Sequence, residues 1–241
     1  MKRAILAGVV LAAGASVASA DVYADNTGNH LAGGDLHDFF QSQGFDHLDI
    51  ASVEVTNDSQ YLYFNITTVG LVSDTNWGKY IVGIDTGVNA GDNSTDPGSW
   101  NRNVDWGRGI THFLGTWADD GGALQFGGEI RAFDGANWNL LGATWNGDSN
   151  ISGTSAAGQM IQVEFAALGL SIGDTFEFDV FSSGGGADPG VDHLSRSDFA
   201  TDGWGTQSIA GDFLSYTLVP SPSGLALLGL GGLAAARRRR A

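Results

Sequence analysis

An all-β fold is predicted, a two-sheet antiparallel sandwich of jelly-roll or immunoglobulin-like type, and three observations predict it. Apolar and polar residues alternate with period two over many short stretches. No helical stripe of twelve or more residues interrupts them. Gly, Asn and Asp separate the stretches, which is the chemistry of tight turns and therefore of two packed sheets.

The elements follow in order. In residues 51–56 Ala51, Val53 and Val55 form one face, with Ser52, Glu54 and Thr56 between them. Leu62, Phe64 and Ile66 then alternate with Tyr61, Tyr63 and Asn65, and the intervening Asn57-Asp58-Ser59-Gln60 is turn chemistry, so the pair reads as a hairpin. Further strands are expected over residues 80–85, 110–117, 124–133, 138–144, 160–165, 175–181 and 213–218. The 37 glycines suggest a disordered matrix protein, but seven Trp and thirteen Phe, many at alternating positions, supply the apolar area that disordered chains lack. No fixed-period repeat is present, which disfavours a solenoid or propeller.

The two ends read as processing signals. Residues 1–20 run from Lys2 and Arg3 through an apolar stretch to Ala18-Ser19-Ala20, the small residues a signal peptidase accepts at Ala18 and Ala20. The mature chain is expected to begin at Asp21. Residues 219–241 hold Pro220-Ser221-Pro222, an apolar segment over 225–236, and Arg237, Arg238, Arg239 and Arg240. As a short helix the apolar segment is roughly 20 Å long, against about 30 Å for a bilayer core, so it suits transient insertion better than permanent anchorage. The arginines favour the cytoplasmic side and leave the rest outside. Pro-Ser-Pro, a Gly-Leu-rich segment and a terminal Arg cluster, paired with a signal peptide, resemble the PEP-CTERM sorting tail of Gram-negative bacteria, with Ser221 at the position of the usual Glu. The resemblance implies an exosortase-type peptidase as partner, and display on the cell surface or in the extracellular polysaccharide matrix.

Between the signals lies one domain, residues 21–218. The end segments hold six of the eleven Lys and Arg residues and no carboxylate, so Lys79, Arg102, Arg108, Arg131 and Arg196 face all 27 acidic residues, a formal charge of −22. Such a surface repels nucleic acid and anionic lipid and is compatible with neutral sugars or divalent cations. The absence of cysteine excludes disulfide staples, but a domain of this length buries an adequate core without them.

Local phrases of the body also resemble a family. Residues 49–58 followed at once by Tyr61-Leu62-Tyr63-Phe64, the segment 80–85 ending in Asp85, and residues 163–170 followed by 173–180 are similar to the family 9 carbohydrate-binding modules and related DOMON-like sandwiches. The resemblance implies the sandwich; among such superfamilies some members bind sugars, some haem. Met160 and the five histidines are the only candidate haem ligands.

The long connection over residues 86–109 is the candidate ligand loop. Trp100, Asn101, Arg102, Asp105 and Trp106 combine two indoles with an amide, a guanidinium and a carboxylate, flat apolar faces and polar edges that suit a sugar ring. The alternative is that the indoles plug the sandwich. Asp85, Asn89, Asp92 and Asp96 make an oxygen-rich run that suits Ca²⁺, although their spacing is not that of an EF-hand; they also suit Asx turns. His30, His37 and His47 share a segment with Asp35, Asp38, Asp46 and Asp49 but show no zinc motif, and with 27 carboxylates any catalytic pair can be nominated, so no enzyme is expected. His193 and Trp204 fall in an apparent polar loop over 191–206, and Asn57 and Asn65 head glycosylation sequons. The expectation is an exported, carbohydrate-binding-like sandwich; its rival is a structural matrix protein without a small-ligand site.

Overall fold

The computed structural model describes residues 20–72, 77–93, 98–117, 127–142 and 158–221; the signal segment before Ala20, Pro222 and the expected C-terminal helix with its arginines lie outside them. Thirteen strands are described: β1 Asp21–Ala24, β2 Ile50–Asn57, β3 Tyr61–Thr68, β4 Lys79–Asp85, β5 Val104–Asp105, β6 His112–Trp117, β7 Gly127–Phe133, β8 Trp138–Gly142, β9 Gly158–Glu164, β10 Thr175–Ser183, β11 Gly190–His193, β12 Ser208–Ile209 and β13 Leu214–Thr217. They form an antiparallel sandwich. One sheet has the order β1-β2-β3-β9, and the other β11-β10-β4-β6-β7-β8, with β13 also on β10. β5 and β12 make a small parallel pair apart from both.

The predicted hairpin is β2–β3. Asp58 closes it: its Oδ1 accepts from the amides of Gln60 and Tyr61, both at 2.7 Å, and Tyr63 Oη donates to Oδ2. Burial would raise this carboxyl, but those donors hold it below its ordinary value. A register shift between Ile50 and Ser52 leaves Ala51 half-buried and lets Ile50 join Val53 and Val55 inside. Leu62, Phe64 and Ile66 face them across the ladder, and the set packs on Tyr80, Val82, Ile84, Leu114, Phe176, Phe178 and Val180 of the second sheet.

The central strands β4, β6 and β10 of the second sheet are covered on both faces, which those of a simple sandwich are not. Ile81, Phe113 and Phe181 alternate with the inward residues and point away from the first sheet, where Val104, Trp106, Ile110 and Trp138 bury them. The added layer lies close to the strands because the outer face holds glycines. A Cβ on Gly83 would lie 2.5 Å from Cη2 of Trp106, and one on Gly115 would collide with the ring of Trp100. Each indole thus rests directly on strand backbone.

A third cluster shuts the N-terminal side. Leu36, Phe40, Leu48 and Val191 are buried among Phe45, Trp77 and Trp204, with Phe40 supplied by the single-turn helix α1 (Asp38–Gln41). Tyr80 Oη donates to the carbonyl of His47 at 2.6 Å and ties this segment to β4. At the C-terminal side Asn57 grips the chain after β13: its Oδ1 accepts from Val219 N at 2.9 Å and its Nδ2 donates to Val219 O at 2.8 Å. Tyr216 Oη donates to the same Oδ1, also at 2.9 Å. Among the described residues no helix is long and apolar enough to cross a membrane.

Candidate functional site

The candidate ligand loop lies on the outer face of the second sheet, and its side chains look inward. Trp106 is 1 % exposed, packed on Phe181 and Phe213. Trp100 is half-buried between Phe113 and Trp117, and its indole N–H donates to Glu129 on β7. Trp100 and Asn101 adopt φ of 54° and 59°, a region that costs a non-glycine residue ~1–3 kcal/mol. The indole contacts offset that strain. Arg102 is buried, with Nη1 donating to the carbonyls of Gly186 and Trp100. Asp105 accepts from Asn93 Nδ2 at 2.7 Å and Gly107 N at 2.9 Å, which holds its carboxyl below the ordinary value. The five residues therefore do not share one open surface; the two indoles cap different strands.

The oxygen-rich run is engaged residue by residue. Asp85 Oδ1 accepts from Gly87 N and its Oδ2 pairs with Arg108 at 2.5 Å. Asn89 accepts from Gly91 N and donates to Phe133 O. Asp92 Oδ2 accepts from the Trp138 indole at 2.9 Å, and Asp96 lies outside the described residues. These are turn and packing contacts.

An open depression of about 690 Å³ is present beside Trp106, where the loop 106–108 meets residues 195–198 and 210–213. Arg108 lies over the Phe213 ring at 5.0 Å from its centroid. Burial opposes the charge of Arg108, but Glu177 and Asp85 outweigh it and raise the guanidinium above its usual value. Arg196 is fixed in the same way, donating to Asp198 Oδ1 at 2.7 Å and to Ile209 O at 3.0 Å. Asp198, Asp212 and Ser197 are exposed at the rim. The result is a rigid polar bowl with carboxylate acceptors and a half-buried aromatic ring, groups that match sugar hydroxyls and a sugar face.

A buried relay underlies this layer and was hidden in the sequence. His193, in strand β11 rather than in a loop, faces Asp179 of β10 with Nδ1 2.6 Å from Oδ2, and its Nε2 is 3.2 Å from Ser208 Oγ. The order Ser-His-Asp is that of a hydrolase triad. His193 and Asp179 are wholly buried, Ser208 likewise, and Trp106 covers the imidazole at 6.2 Å, so no substrate reaches the hydroxyl. Its place in the architecture is to bind β10, β11 and β12 together.

His30 and His37 stack at 4.6 Å beside Asp38, but their Nδ1 atoms already accept from the amides of Asp38 and Phe39. Met160 lies on β9 and is half-buried. Asn57 is committed to Val219 and 3 % exposed, so its sequon is closed in the folded protein. Of the sorting residues, Pro220 and Ser221 follow β13 at the surface edge. No family model matches the chain, and neither a curated protein nor a solved structure matches it.

Proposed function

We propose that the chain is an exported, non-enzymatic binding protein held at the cell surface or in the extracellular matrix, and that it takes a neutral polysaccharide in the depression between Arg108, Phe213 and the 195–198 loop. The observation that carries this reading is the bowl itself, in which two of the few basic side chains are pinned by carboxylates and an aromatic ring stands among exposed acceptors. Vicinal hydroxyls pair with carboxylates such as Asp198 and Asp212, and Phe213 offers an apolar face. The signal segment and the PEP-CTERM-like tail supply the address, with an exosortase-type peptidase as sorting partner and transient membrane insertion of the tail.

Gel retardation of the chain by a panel of polysaccharides, the producer's own matrix included, tests the proposal. Retardation that falls at least tenfold in Asp212→Asn and Phe213→Ala, with the circular dichroism of the parent retained, is expected. Absence of retardation by every polysaccharide overturns it. Burial of Trp106 favours a second reading, a structural matrix protein whose indoles serve the fold alone, and a negative panel would leave that reading standing.

A further inference from the structure

Beneath the 195–197 wall of the depression, aspartates from two distant parts of the sequence, residues 25–49 and strand β11, meet inside the protein. Asp25 follows β1, Asp35 ends the N-terminal loop, Asp49 precedes β2 and Asp192 lies in β11. Asp35, Asp49 and Asp192 are each 1 % exposed. Carboxylate oxygens of Asp25, Asp35 and Asp192 lie within 4.8 Å of one another. Asp49 stands near them, since the charge of Asp35 acts on it and its own acts on Asp192.

The chain answers only part of this charge. Asn26 N donates to Asp25 Oδ1 at 3.0 Å, Gly28 N to Asp49 Oδ2 at 2.8 Å and Ile50 N to Asp192 Oδ2 at 2.6 Å. Asp25 Oδ2, both oxygens of Asp35 and Asp49 Oδ1 are buried and meet no donor in hydrogen-bond geometry, although the amides of Asn26 and Asp35 lie close enough to Asp35 to offset part of its burial. Among the described residues no lysine or arginine pairs with any of the four; Arg196, the nearest in the adjoining wall, is spent on Asp198 and Ile209. A buried carboxylate with neither oxygen satisfied is among the costliest groups a fold can hold. Asp35 therefore points to something the polypeptide does not supply.

We infer that Asp25, Asp35 and Asp192 form a binding site for one divalent cation, Ca²⁺ by preference, with Asp49 beside it. Hard oxygen donors without nitrogen or sulfur select alkaline-earth ions. Oxygens within 4.8 Å of one another can share one ion, and Ca²⁺ accepts an irregular shell of such oxygens, whereas Mg²⁺ demands a near-ideal octahedron and keeps its waters. The surrounding loop is built to keep its shape: Leu36 N donates to Gly28 O, His30 N to Leu36 O, and Gly34 is pressed on the carbonyls of Thr27 and Gly28 so closely that no side chain fits there. Entry is through an open cavity of about 250 Å³ lined by Ala24, Asp25, Asn26 and residues 194–197. Burial and the repulsion of Asp192 and Asp35 raise Asp25 well above the ordinary carboxyl range, and burial raises Asp35 as well and Asp49 to about 7, so the rival occupant of the site is protons shared between the carboxyls.

Calorimetric titration of the full chain, freed of metal by chelation, with CaCl₂ and separately with MgCl₂ at pH 8 decides between them. One Ca²⁺ per chain is expected, bound more tightly than Mg²⁺, with Tm raised by roughly 5 °C or more at a hundredfold excess over Kd. Asp35→Asn should weaken Ca²⁺ at least tenfold and melt, metal-free, no lower than the metal-free parent, because it removes repulsion without removing volume. Asp85→Asn, on the far side of the second sheet, should keep the parent's affinity. Neither heat nor a shift in Tm with either ion would overturn the proposal in favour of shared protons. Ca²⁺ binding that survives Asp35→Asn and Asp192→Asn intact would overturn it as well.

Discussion

The packing of Trp106 on Gly83 makes a quantitative demand that a ligand-contacting indole would not. Trp106→Ala empties a fully buried site, and truncations of this size cost about 3–5 kcal/mol. Near 200 residues a domain loses roughly 2–4 °C per kcal/mol, so the expected fall in Tm is about 6–20 °C. Gly83→Ala acts from the other side. Its methyl would stand 2.5, 2.6 and 3.0 Å from Cη2, Cζ3 and Cζ2 of the ring, well inside contact distance, and overpacking of this kind costs about 1–3 kcal/mol. In the Trp106→Ala background the methyl enters vacated space, and most of that second cost disappears. The double variant should therefore be more stable than the sum of the single losses predicts, by about 1–3 kcal/mol of coupling. Urea unfolding followed by far-ultraviolet circular dichroism, which does not depend on the deleted fluorophore, measures all four corners of the cycle. Additivity within about 0.5 kcal/mol would refute the claim that this indole rests on that glycine.

Other expectations follow from the same structure. Burial lowers His112 to about 4, so it is neutral in the fold and charges more readily in the unfolded chain. Its contribution is complete above pH 6.5 and is lost as pH falls toward 4; between pH 7 and 5 the loss is about 2 kcal/mol, and His112→Gln should remove that slope from the pH dependence of urea unfolding. Asp179→Ala leaves the buried His193 Nδ1 without its partner and should cost about 1–3 kcal/mol, whereas Ser208→Ala should leave the hydrolysis of a p-nitrophenyl ester no lower than in the parent. A stop after Ser221 keeps the grip of Asn57 on Val219 and should leave Tm within about 1 °C of the longer chain. A clear drop would mean that the apolar tail packs on the body.

The nine strands predicted from the sequence are all present; β2, β3 and β9 keep the period of two because only one face is buried, whereas β4, β6 and β10 are buried on both faces and are recognised by their apolar and aromatic content. The missed strands are short or carry buried polar groups. β11 reads as a loop because Asp192 and His193 are buried, and what makes that tolerable is remote: the amide of Ile50 for one, Asp179 for the other. The indole loop shows the opposite difficulty. Residue types suited to a sugar were visible at Trp100 and Trp106, but their direction depends on Gly83 and Gly115, whose lack of a side chain opens room on the sheet. Glycine inside an apolar strand was the available sign that something approaches the backbone there. For the acidic cluster, Asp35 and Asp49 stood in view among the N-terminal histidines, yet Asp25 and Asp192 join them only when β1, β2 and β11 close around the loop.

The grip of Asn57 on Val219 bears on how the domain carries load. Asn57 belongs to the first sheet and β13 to the second, and Tyr23 Oη on β1 donates to Ser215 O at 2.6 Å across the same seam. Traction applied to the chain beyond Ser221 thus meets two side-chain bonds from one sheet before it reaches the four rungs from Thr175↔Thr217 to Phe178↔Leu214 in the other. Pulled along its own axis, β13 loads those rungs together rather than one at a time. A domain tethered by this end would resist drag as a rivet resists shear, and would yield only after the Asn57 clasp and then the four rungs of β13 had parted.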